Sequence, residues 1–154
     1  MKYGIYTLII ENHFKRIPGY SFDFGWGCGY VLIPEGHPFY GVNYDEINDY
    51  PNISVHGGLT YGSIFESKYF TSLFKDREVG GDVTLDNYEM FNNYWMIGFD
   101  TNHSGDSLSR CPKYYVLNEA HSLLEQCLCD DIDNIKKYKN KIDRRNKLNR
   151  IENI

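Results

Sequence analysis

The sequence predicts an α+β fold: a mostly antiparallel β-sheet with a long C-terminal helix packed on one face. Three observations predict it. Short β-branched and aromatic runs recur through the first two-thirds of the chain, separated by turns rich in Gly, Pro and Asn. From Pro112 onward the apolar residues switch to steps of three and four. The regular strand–helix alternation of a doubly wound fold is missing.

Taken in order, residues 3–10 (YGIYTLII) read as a buried strand. A polar stretch with a turn signal at Pro18-Gly19 follows. In residues 25–33 (GWGCGYVLI) the glycines 25, 27 and 29 alternate with Trp26, Cys28 and Tyr30, which leaves one face of a strand nearly bare. Such a face admits either tight packing of the strand or close approach of a ligand. Residues 34–50 are rich in Gly, Pro, Asn and Asp and read as a structured loop. Residues 53–56 and 59–61 are strand-like pieces around Gly57-Gly58, a hairpin signal. Tyr69, Phe70, Leu73 and Phe74 fall at helical spacing and predict a helix over 66–77. Residues 78–93 are mixed, with Gly80-Gly81 as a turn, and 94–99 (YWMIGF) read as a central strand. The final stripe runs Val116, Ala120, Leu123, Leu124, Cys127, Leu128 and on to Ile142, with Asn118-Glu119 as the start of its regular part.

A chain of 154 residues suggests one domain, placed at residues 1–130, followed by a charged, basic helical tail at 131–154. The net charge of −5 is divided unevenly. Residues 130–154 hold eight Lys/Arg against five Asp/Glu, and the rest holds eight against sixteen. An acidic body repels phosphate backbones, so general nucleic-acid binding by it is not expected. Cys28, Cys111, Cys127 and Cys129 form no CxxC and read as free thiols. The apolar run at 3–10 is too short to span a bilayer and lacks the marks of a leader, so a cytoplasmic location without membrane contact is expected.

Three segments carry the candidate chemistry. The first is residues 34–45, a loop stiffened by two prolines and two glycines that presents Glu35, His37, Tyr40, Tyr44 and Asp45. His37 reads equally as a ligand contact or as a residue tying the loop to the core. The second is residues 55–60, where His56 stands beside Gly57, Gly58 and Thr60. Successive backbone N–H groups of a Gly-rich turn can face an anion, although a structural turn explains the same residues. The third is residues 98–106, where Asp100, His103 and Asp106 recur at steps of three after a strand. Carboxylate oxygen and imidazole nitrogen can share a divalent metal, and Asx turns are the competing explanation. Each segment is expected to follow a strand, so His37, His56, Asp100 and His103 are expected to converge. The motifs of P-loop, dinucleotide-fold, nucleophile-elbow and HExxH enzymes are absent.

The segments GYVLIPEGHPFYGVNYDEI, VHGGLTYG and WMIGFDTNHSGD together resemble a family of small proteins encoded by bacteriophages and prophages. The resemblance covers residues 29–106 and the helix start near 116–126, and the tail after Asp130 departs from it. The family brings no established activity. What the resemblance implies is a setting: a counter-defence protein in the host cytosol that sequesters or destroys a nucleotide immune signal.

Three functions follow. The first is capture of a small polar, nucleotide-like ligand by His37, Tyr40, Tyr44, Asp45, His56, Gly57, Gly58, Thr60, Asp100 and His103. The second is a metal-dependent hydrolase, with a divalent metal on His56, Asp100, His103 and Asp106 and with Glu35 or His37 as catalytic base. The third is an interaction module that forms a homo-oligomer through the C-terminal helix.

Overall fold

The computed structural model describes residues 4–12 and 24–128, together with residues 137, 140, 141, 143–145, 147 and 148, which are helical and exposed. The remainder of the 131–154 tail, the Pro18-Gly19 turn and Cys129 lie outside the described residues.

Among the described residues five strands form one sheet in the order β3-β5-β2-β1-β4: β1 (Tyr6–Glu11), β2 (Gly27–Ile33), β3 (Tyr61–Ile64), β4 (Val79–Gly81) and β5 (Trp95–Phe99). Every neighbouring pair is antiparallel. Among the described residues between 4 and 128 the α-helices are α1 (Tyr44–Asn48) and α2 (Thr71–Asp76), which lie in connections, and α3 (Lys113–Leu128), which follows the last of these strands. The α+β fold, with a long C-terminal helix on one face of an antiparallel sheet, is therefore observed.

Alternation along the strands divides the core in two. Val31, Ile33 and Ile97 meet Leu123, Leu124 and Cys127 of α3 on one face. Leu8, Ile10, Leu32 and Met96 face Phe65, Phe74, Val83 and Phe91 on the other. The stripe of α3 buries Val116, Ala120, Leu123, Leu124 and Cys127, the positions that a period of 3.6 selects. The helix begins at Lys113, earlier than the Asn118-Glu119 signal. Pro112 stands just before it and its carbonyl accepts the N–H groups of Tyr115 and Val116. Proline at a helix start supplies a pre-set φ and gives up no needed donor.

Of the two readings of the 25–29 face, tight packing is the one observed, and several other local expectations are corrected. The bare face of residues 25–29 is filled by protein: a Cβ on Gly29 would lie 2.5 Å from the Phe99 ring, and one on Gly25 would lie 2.2 Å from the Thr101 hydroxyl. Residues 53–56 form no strand. Gly57 and Gly58 have φ of +69° and +78°, and Gly58 N–H closes a turn onto the Val55 carbonyl. That turn is not a hairpin, because β3 pairs with β5. The helix expected over 66–77 breaks into a 3-10 turn at Ser67–Tyr69 and the short α2, while Phe70 and Phe74 reach the core. Gly80-Gly81 lies within edge strand β4, paired to Ile9 and Leu8. The loop at 34–50 contains α1, which buries Ile47.

Candidate functional site

Strand direction decides which segments meet. β5 is antiparallel to both β2 and β3. The residues that follow β5 therefore lie beside those that precede β3 and β2, and at the opposite end of the sheet from those that follow β2. Residues 56–60 precede β3 and residues 100–106 follow β5, so these two segments meet. Residues 34–45 follow β2 and leave at the far end.

At the shared end, His56, His103 and Asp106 each offer a ligand atom, and these atoms lie within 4.8 Å of one another. Asp106 is the hub. Its Oδ1 lies 2.8 Å from His56 Nε2, and its Oδ2 accepts the His103 backbone N–H at 2.9 Å and lies 3.2 Å from His103 Nδ1. Burial pushes the Asp106 carboxyl up, but the His103 backbone N–H and the adjacent His56 outweigh it and hold the group below the usual carboxylate range. Asp100 supports the cluster from the side. One of its oxygens is 3.5 Å from His103 Nε2 and accepts the Asn102 N–H, and the other accepts the Thr60 hydroxyl at 2.9 Å.

The first turn of α3 completes the arrangement. Tyr115 Oη lies 2.9 Å from His56 Nδ1. Burial, and then the nearby Glu119 carboxylate, push the Tyr115 hydroxyl up to about 12. His56 thus stands between Tyr115 at Nδ1 and the Asp106 carboxylate at Nε2. The Cys111 thiol lies 3.9 Å from Asp106 Oδ1, and burial raises its pKa above the ordinary thiol value.

The glycines have steric work at this site. A Cβ on Gly57 would lie 2.4 Å from His103 Cε1, so the imidazole rests directly on bare backbone. Asn48 of α1 accepts the Leu59 N–H and donates to the Leu59 carbonyl, which pins the 56–60 turn. The Gly58 N–H is spent inside the turn, so it is not presented to an anion.

The remaining candidates lie elsewhere. His37 is 2% exposed; it donates from Nε2 to the Cys127 carbonyl and accepts the Phe39 N–H at Nδ1. It fastens the 34–42 loop to the end of α3 and cannot serve as a catalytic base. Glu35 is exposed beside Tyr40 at that same far end, and Tyr40 donates to the Asn93 carbonyl. Tyr44 packs against Gly62 and the core, and Asp45 is exposed in the first turn of α1. The expected four-residue convergence of His37, His56, Asp100 and His103 is thus corrected: Asp106 takes the place of His37. Two contributors went unseen in the sequence, Tyr115 and Cys111. Their one legible signal is that a helix starting just after residue 106 must return its first turn to the site.

Two imidazoles and one carboxylate are a donor set suited to a divalent first-row metal. The hydroxyl of Tyr115 behind His56 and the carboxylate of Asp100 beside His103 are the kind of outer partners that orient metal-binding imidazoles. Compared with known proteins, the chain matches no family model, no curated protein and no solved structure. No helix among the described residues is long and apolar enough to cross a membrane.

Proposed function

We propose that this chain is a divalent-metal-dependent hydrolase of a small polar molecule, with the ion held by His56, His103 and Asp106. The observation that carries the reading is the approach of those three ligand atoms to within 4.8 Å of one another at the end of the sheet. His56, His103 and Asp106 would hold the ion, which would supply Lewis-acid activation of a water. His56 would present its Nε2 lone pair to the ion with its proton on Nδ1, where the Tyr115 oxygen accepts it. Asp100, beside His103, takes the base role that the sequence assigned to Glu35 or His37.

A second reading is capture without turnover. It is favoured by the hydrogen-bond chain Tyr115–His56–Asp106–His103–Asp100, which is satisfied without any ion. On the resemblance alone, either reading acquires a phage counter-defence setting in the host cytosol. Assembly through the 131–154 tail stands as a separate proposal.

Titration calorimetry with Zn²⁺ and Mn²⁺ tests the hydrolase reading. Stoichiometric binding that is lost in both His56→Ala and His103→Ala supports it. Absence of binding by either ion removes the hydrolase and leaves capture.

A further inference from the structure

A second feature lies at the same end of the sheet, on the face away from α3. A pocket of about 160 Å³ opens there, walled by Tyr30, Tyr61 and Phe70, floored by Met96, and flanked by Asn12 and Arg77. Its space suits a single ring system, since pockets for whole drug-sized ligands run to roughly 300 Å³ and more. Anything attached to such a ring must project out of it.

Three of the lining residues are aromatic, Tyr30, Tyr61 and Phe70. Tyr30 crosses the sheet over Gly98, where a Cβ would lie 2.2 Å from its ring. Tyr61, on the next strand but one, meets Tyr30 edge-on with centroids 5.6 Å apart. Tyr61 is nonetheless 36% exposed, a large aromatic surface left at the mouth.

The polar end has a fixed orientation. Asn12 is 5% exposed, and its amide nitrogen donates to the Gly25 carbonyl at 2.8 Å and to Asn102 Oδ1 at 2.7 Å. Both amide hydrogens are spent, so Oδ1 is the acceptor. Its partner is the Cys28 thiol at 3.8 Å, a weak donor that also lines the pocket. Arg77 adds a cationic donor. A ring edge that carries a donor next to an acceptor matches this pair.

The pocket and the histidine cluster are tied together by two hydrogen bonds at this end of the sheet. Tyr61 directly follows Thr60, whose hydroxyl holds Asp100, and Asn12 is hydrogen-bonded to Asn102, the neighbour of His103.

We propose that the pocket seats the heterocyclic base of a nucleotide, with Asn12 and Arg77 reading its donor–acceptor edge and Tyr61 covering its face, while the phosphate reaches the His56–His103–Asp106 cluster. This rests on the metal site proposed above and names its substrate class.

The test is calorimetry of the full chain with adenosine, cytidine and guanosine 5′-monophosphates, the matching nucleosides and inorganic phosphate, each with and without Mn²⁺. Expected is binding of at least one nucleotide, tightened by Mn²⁺, with its nucleoside binding independently of the ion. Tyr61→Ala should weaken that binding by about tenfold, the scale of one lost base-stacking contact, and leave Mn²⁺ affinity unchanged. Arg77→Gln should weaken it too, and Tyr61→Phe should restore it. If Mn²⁺ binds but no nucleotide or nucleoside does, the pocket inference is overturned and the metal site survives. If a nucleoside binds but Mn²⁺ does not, the base pocket is supported and the hydrolase reading fails. Phosphate binding as tightly as every nucleotide, or nucleotide binding unmoved by both Tyr61→Ala and Arg77→Gln, overturns the inference.

Discussion

At the scale of single residues, two histidines that look alike in the sequence have separate expected effects. His37→Ala removes the two hydrogen bonds of a buried ring, one from the Phe39 N–H and one to the Cys127 carbonyl. It should cost about 1–3 kcal/mol in urea unfolding and leave metal affinity intact. His56→Ala should abolish stoichiometric metal binding at a smaller cost in stability. Gly57→Ala adds both a left-handed strain and a clash with the His103 ring. It should cost roughly 1–2 kcal/mol in unfolding and weaken metal binding at least about tenfold by displacing that ring. A Gly57→Ala protein that binds metal as the wild type does would show that His103 is not a ligand. The Cys28 thiol gives a pH prediction. Burial, ahead of its other causes, raises its pKa from the ordinary 9.0 to about 11. A proton held more tightly in the fold stabilises fully below the unfolded value and is lost as pH rises through the folded one. Wild type should therefore lose more stability than Cys28→Ala between pH 9 and pH 11, measured by urea unfolding along that series.

At the scale of elements, β2 and α3 were read well and the connections less well. The 25–33 and 94–99 strands and the α3 stripe follow from periodicity, because each buries one alternating face or one helical stripe. The hairpin at Gly57-Gly58 failed because a turn signal shows that the chain reverses but not which strand it will pair with. The helix over 66–77 failed because Phe65, Phe70 and Phe74 enter one core pocket, with Phe65 stacked on Phe70 at 4.7 Å, and the backbone bends to deliver them. Gly29 of β2 packs against Phe99 of β5 and Ala120 of α3. Gly29→Ala should force the Phe99 ring aside and cost about 1–3 kcal/mol, the usual scale of overpacking. A melting temperature equal to that of wild type would show that α3 rides further from the sheet than this contact implies.

At the scale of the whole molecule, every proposed site residue lies between Asn12 and Tyr115. Removing residues 131–154 should therefore leave metal binding unchanged, and light scattering of the truncated and full chains would show whether the tail carries assembly. Composition and periodicity by themselves determined the α+β class, the three interior strands and the helix stripe, and they singled out His56, His103, Asp100 and Asp106 as candidates. Those properties depend on residue type and on spacings of two, three or four along the chain. What only the tertiary structure decided was which of those residues meet. The sequence showed strands but not their directions, and antiparallel pairing sends the 34–45 loop to one end of the sheet and the 100–106 loop to the other. That geometry turned His37 into a core fastener, brought Tyr115 back to His56 through the first turn of α3, and set the Tyr30–Tyr61 pocket beside Asp100 on the face away from the helix.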